Sequence, residues 1–116
     1  MRIVLSRGRG FNLQAQSRAL NGLPAQSVSR PGRWGNPFVI AEIAEAESID
    51  AIAAQVEAVS RFERWMNGTL APELSPGPPL DRAEIRRHLA GRNLACWCKQ
   101  GTPCHANILI DIANGK

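Results

Sequence analysis

Residues 92–113 read R-N-L-A-C-W-C-K-Q-G-T-P-C-H-A-N-I-L-I-D-I-A. The first part, Arg92–Cys98, reads as a strand. Lys99-Gln100-Gly101 breaks it. Thr102 is a suitable helix cap with Pro103 at the first helical position, where its missing N–H costs nothing. The helix then runs to about Ala113, and Asn114-Gly115 closes it. Strand, short loop and helix in this order predict a small α/β domain whose C-terminal unit carries the Cys/His motif.

Working back toward the N-terminus, Gly91 ends a short helix that starts at Asp81. Asp81 is a cap-like acid with Glu84 three residues later, the pattern of a capping box. Residues 68–80 hold four prolines and two glycines, which marks an ordered loop or a lid. The clearest helix covers residues 48–66. Ile49, Ile52, Val56, Val59, Phe62 and Met66 recur at helical steps. Ser48 is its expected N-cap and Asn67-Gly68 its stop. Residues 30–38, R-P-G-R-W-G-N-P-F, are too rich in proline and glycine for a regular helix or a central strand. Phe38-Val39-Ile40 is either a short strand or the lead-in to a helix. Residues 11–27 have weak helical periodicity. Ile3-Val4-Leu5 and Ser27-Val28-Ser29 read as short strands. The sum is a sheet of three to four strands with helices packed against it, in a single domain spanning 1–116.

Apolar residues make up 44% of the 116, enough for a core, while aromatics are only 5%. No apolar run approaches the length of a membrane span, and the N-terminus lacks a secretory apolar region. Three cysteines, an odd number, argue against a secreted disulfide framework. A cytoplasmic protein is expected. The net charge of +4 is unevenly spread. Residues 1–38 contain six arginines and no acid, while residues 39–116 carry eight basic and ten acidic residues. Arginine meets phosphate with a planar fork. A phosphate-bearing small molecule or nucleic acid is one reading of that charge, and a solvated basic surface is the other.

All three cysteines and one of the two histidines lie in residues 96–105. Three readings fit this window. In the first, Cys96, Cys98, Cys104 and His105 supply four ligands of the kinds zinc prefers. The spacing resists it: Cys96 and Cys98, as alternate strand residues, share a face but sit about 6–7 Å apart at Cα. Cys104 and His105, as neighbours on a helix, point about 100° apart. In the second, Thr102 caps the helix, and Cys104 and His105 lie in its first turn. The helix start then lowers the thiol pKa or offers its amides to an anion. In the third, the cysteines simply pack in the core. Trp97 should face away from the two cysteines and pack.

The loop R-P-G-R-W-G-N-P-F and the C-W-C…C-H window together resemble an uncharacterised family of small domains of unknown function found in bacteria and phages. Its members share an R-P-x-R-W-G-N-P-F loop, an F-x-x-W helix and a C-terminal G-K-x-L-x-C-W-C…C-H-x-x-x-L segment. Here these are Arg30–Phe38, Phe62–Trp65 and Gly91–Leu109. Arg92 stands where lysine is usual. The resemblance carries no activity. It implies that the two motifs belong to one design.

The residues therefore point to one site. Arg30 and Arg33, with no acid nearby in sequence, are expected to clamp phosphate. Trp34 stacks on a base or packs under its loop. Asn36 reads a base edge or, more simply, forms a turn with Pro37. Thr102 adds its helix start, and Cys104 with His105 form a thiol–imidazole pair suited to group transfer or hydrolysis at a nucleotide. No catalytic acid stands out, so no reaction is assigned. The alternative is a non-catalytic module stapled by zinc, which binds nucleic acid through charge or a protein partner through the proline-rich loop.

Overall fold

Three short parallel strands organise the chain, of which the computed structural model describes residues 1–115. They are β1 (Arg2–Val4), β2 (Ala25–Ser27) and β3 (Asn93–Cys96), in the order β1-β3-β2. Five helices surround them: α1 (Leu13–Asn21), α2 (Ile40–Glu47), α3 (Ala51–Asn67), α4 (Arg82–Leu89) and α5 (His105–Ala113). The mixed α/β class is as expected, with three strands rather than four. Among the described residues, no helix is long and apolar enough to cross a membrane.

Strand β3 is central and wholly buried. Its pleat divides the core. Leu94 and Cys96 join the larger cluster with Phe62, Ile85, Leu89 and Leu109. Ala95 joins Ile3 and Ala25 in a smaller one, with Leu13 of α1 packed against it. The buried Asn93 amide donates to Ser17 Oγ at 2.7 Å and Asn21 Oδ1 at 2.8 Å, fastening α1 to the sheet.

Helix α3 is present, but its buried stripe is not the one that the large apolar residues suggest. Ile52 is 79% exposed and Val56 50%. The packed face is Ala54, Ala58, Phe62, Trp65 and Met66. Two alanines leave room for a neighbouring side chain: Asn36 Nδ2 donates to Ala58 O at 3.2 Å. Ser48 does not cap this helix. It ends α2 in a left-handed conformation (φ 54°), and Asp50 is the N-cap, accepting from Ala53 N at 2.7 Å. Phe38–Ile40 is thus the lead-in to a helix.

Asp81 caps α4 as expected, accepting from Ala83 N at 2.8 Å. Glu84 does not close the capping box, because its carboxylate turns to Arg33, Arg87 and His88. The proline-rich segment makes one 3-10 turn at Pro72–Leu74 and is held by Trp65 Nε1, which donates to Gly77 O at 2.9 Å.

The last helix begins later than its sequence suggests. Cys104 occupies the N-cap position and α5 starts at His105. The Thr102 hydroxyl is engaged elsewhere: it donates to Lys99 O at 2.6 Å and accepts from Gln55 Nε2 at 3.1 Å. Thr102 therefore closes a Lys99–Thr102 turn instead of a helix. The chain also leaves the sheet at Cys96, two residues early. Trp97 is consequently not a core residue and is 48% exposed.

Candidate metal centre and anion pocket

A parallel sheet gathers its strand ends along one edge, where open α/β sheets bind their ligands. Here that edge collects Leu5–Arg7 after β1, Val28–Arg30 after β2 and Cys96–Cys98 after β3. The start of α5 returns to the same place. His105 Nε2 lies 2.9 Å from both Val28 O and Trp34 O. Two carbonyl acceptors put the proton on Nε2. The Nδ1 lone pair is left facing Cys104 Sγ at 3.9 Å.

The three thiols meet because the chain bends after Cys96. Cys96 comes from the end of β3, Cys98 from the bend and Cys104 from the residue before α5. Their sulfur atoms all lie within 4.8 Å of one another. Cys96 Sγ and Cys104 Sγ are 2.9 Å apart. Cys96 and Cys104 are buried and Cys98 is half-buried. The bend removes the objection raised by strand spacing, since Cys96 and Cys98 no longer stand on one extended strand.

Arg2, at the far end of the sequence, holds this bend. Its Nη1 donates to Cys98 O at 3.2 Å and to Cys96 Sγ at 3.5 Å. Its Nη2 donates to Lys99 O and Thr102 O, each at 3.2 Å. The three thiols act on one another, and the thiolate is favoured at Cys96. Hydrogen bonds from the Cys104 and Cys98 thiols hold the Cys96 thiol far below the ordinary thiol range, with Arg2 adding to them. The Cys104 thiol is pushed up by donating to Cys96. Cys98 is pushed up by its bonds to Cys104 and Cys96. Burial lowers the His105 pKa, against the two carbonyls, so the ring is neutral. Thiolate character thus belongs to Cys96, and the start of α5 does not activate Cys104.

A cavity of about 160 Å³ opens beside the cluster. Ser29, Arg30, Asn36, Cys96, Cys98 and His105 are on its lining, the rest of which is mostly apolar, with Phe38, Ile40, Val59 and Trp97. The two motifs do meet, through part of the expected set. Asn36 is occupied structurally: its Oδ1 accepts from Phe38 N at 2.9 Å while its amide holds Ala58 O. Arg33, Trp34 and Thr102 lie outside the cavity lining. Arg33 has an acid partner that sequence proximity hides, Glu84 at 3.3 Å, and its guanidinium covers the Trp34 ring at 4.3 Å. Trp34 is only 6% exposed and packs against His88. The proline-rich segment does not line this cavity, so it is no lid over it.

The family model for a domain of unknown function, DUF4326, matches residues 12–115. The chain belongs to this family. No curated protein and no solved structure shows significant similarity to it. The matched span contains the Arg30–Phe38 loop and the cysteine window and leaves out Arg2. In this DUF4326 domain nothing local in the sequence marks Arg2 and Gln55 as partners of the cysteine loop. Gln55 Nε2 donates to Pro103 O at 2.6 Å as well as to Thr102, pinning the cysteine loop to α3. Arg2 and Cys96 are 94 positions apart. No local pattern links them.

Proposed function

We propose that this DUF4326 domain binds a thiophilic divalent ion, zinc by the chemistry of its donors, through Cys96, Cys98 and Cys104. The adjoining pocket takes a small anion, phosphate foremost. The observation that carries the metal reading is the convergence of three sulfur atoms within 4.8 Å from a strand end, a bend and a helix start. Zinc–sulfur bonds of about 2.3 Å in a tetrahedron set sulfur atoms about 3.8 Å apart. The nearest pair, at 2.9 Å, needs to open by only about 0.9 Å to meet that spacing. Three thiolates leave one coordination position, for which water, an anion or His105 Nδ1 is chemically suited. The two carbonyls on His105 Nε2 fix the tautomer a ligating imidazole needs.

Charge supports the anion. A divalent ion with three thiolates carries net negative charge, and Arg2 and Arg30 together outweigh it. The volume supports a phosphate group or a small carboxylate, since whole cofactors fill about 300–1,000 Å³. Burial of Cys104 argues for a ligand over a nucleophile. Three adjacent thiols stay reduced in a reducing compartment, and a cytoplasmic location is part of the proposal.

The test is elemental analysis of protein purified without chelator or added metal, with thiol titration in parallel. About one zinc ion per chain and masked thiols are expected. Metal-free protein whose thiols titrate freely, and which takes up no zinc on addition, overturns the metal reading. Calorimetric titration with inorganic phosphate tests the pocket separately, and Arg30→Ala is expected to remove that binding.

A further inference from the structure

We infer that Trp97 is a stacking shelf for the base of a nucleoside phosphate whose phosphate sits in the cavity beside Arg30. This rests on the anion-pocket reading above and names the ligand class.

The early exit of the chain from β3 sets up the arrangement. It leaves the Trp97 indole 48% exposed, yet among the residues that line the cavity. The other two tryptophans, Trp34 and Trp65, are 6% and 8% exposed and serve the core. Trp97 is thus the tryptophan whose ring is open to a ligand. Arg7, just past β1, places its guanidinium 5.0 Å from the ring centroid. Arg30, just past β2, is exposed and lines the cavity. Two strand ends therefore bring a cation, Arg30, and the indole to one cavity, and Arg7 packs on that indole from the end of the third. Among the described residues, no carboxylate forms an ion pair with Arg7 or Arg30.

Size decides how a ligand divides itself. About 160 Å³ admits a phosphate group and is small for a base with its sugar. A ligand using both features keeps a small anion inside and a flat π-system outside. Nucleoside phosphates have that shape, and aromatic side chains stack bases without demanding a particular one. Arg7 suits either role at the rim: it backs the indole by cation–π contact, or it swings to a second phosphate oxygen. A free nucleotide and the phosphorylated end of a strand present the same chemistry.

The experiment compares adenosine 5′-monophosphate, ribose 5-phosphate and inorganic phosphate by calorimetry on the full chain as purified. Trp97→Ala and Trp97→Phe are run beside it. Adenosine monophosphate is expected to bind on the order of tenfold tighter than ribose 5-phosphate. Trp97→Ala should erase that ratio, and Trp97→Phe should keep most of it, with metal content and phosphate binding measured in each variant so that the ratio is compared at equal loading. Fluorescence quenching gives a second readout in the unmodified protein, because the buried tryptophans are shielded. Ribose phosphate and nucleotide binding equally, or a ratio that survives Trp97→Ala, overturns the shelf and leaves the anion pocket standing. If no phosphate compound binds the unmodified protein, the pocket reading and the shelf fall together. A 5′-phosphorylated trinucleotide that binds as tightly as the mononucleotide supports the shelf with a strand end as its occupant. Mononucleotide binding alone supports it with a free nucleotide.

Discussion

Replacing Arg2 with methionine keeps the apolar stem and removes four donated hydrogen bonds, to Cys98 O, Lys99 O, Thr102 O and Cys96 Sγ. Each is partly solvent-exposed, and the Lys99–Thr102 turn keeps its own bonds. The loss to global stability is therefore about 1–2 kcal/mol rather than the full sum of four bonds. The effect on the metal is larger in ratio. Loss of a group that orients ligands costs roughly 10–100-fold in metal affinity. A counter-argument is that the guanidinium repels a divalent cation, so its removal should help. That repulsion nearly cancels. With the thiolate favoured at Cys96 and the other two thiols pushed up, an ion is expected to displace two protons, which leaves the charge facing Arg2 unchanged. Geometry is left to decide. Arg2→Lys keeps the charge but offers one ammonium where two guanidinium nitrogens reach four acceptors, so it should behave like Arg2→Met. Competition against a chromophoric chelator measures both variants. Wild-type affinity in Arg2→Met, or full recovery in Arg2→Lys, would refute the reasoning.

Zinc binding at neutral pH should release about two protons, since Cys98 and Cys104 are held protonated by their bonds to Cys96. Affinity then rises with pH, and calorimetry in buffers of different ionisation enthalpy counts the protons; about three released contradicts the shared-charge picture, because three neutral thiols would each give one up. Gly35→Ala would place a Cβ 2.7 Å from Arg30 Cγ and 2.9 Å from Arg30 Cα. It should cost about 1–3 kcal/mol in urea unfolding and weaken phosphate binding by shifting Arg30. Phe62→Ala should cost about 3–5 kcal/mol, whereas Ile52→Ser, at 79% exposure, should stay within about 0.5 kcal/mol. Comparable losses from the two would mean that α3 is rotated from the face described.

The strand–loop–helix unit is legible in residues 92–113 because an apolar run, a glycine and an apolar helical stripe are local signals. Its details are not. Thr102 has the chemistry of a helix cap, but Lys99 O and Gln55 compete for its hydroxyl. Only the tertiary structure brings Gln55 there. The packed face of α3 was misread for a related reason. Periodicity weighs Ile52 and Val56 by hydrophobicity, whereas the interface selects Ala54 and Ala58 for size. The pairing of Cys96 with Cys98 needed a bend that strand-like residues do not announce. Arg33 read as free because its partner, Glu84, is 51 positions away.

The arginines of the N-terminal third show why composition alone misleads about partners. Read as a sum, six arginines without an acid suggest a basic surface for nucleic acid. Folded, they separate into different tasks. Arg2 turns to the cysteine bend and is spent on carbonyls and sulfur. Arg33 is neutralised by Glu84 and covers Trp34. Arg7 lies over the Trp97 ring, and Arg30 lines the cavity. Arg9 and Arg18 are exposed and lie outside the cavity lining, so of the six arginines Arg30 alone lines the small opening. One cation at one small opening supports the proposal of a single phosphate group rather than a strip of them.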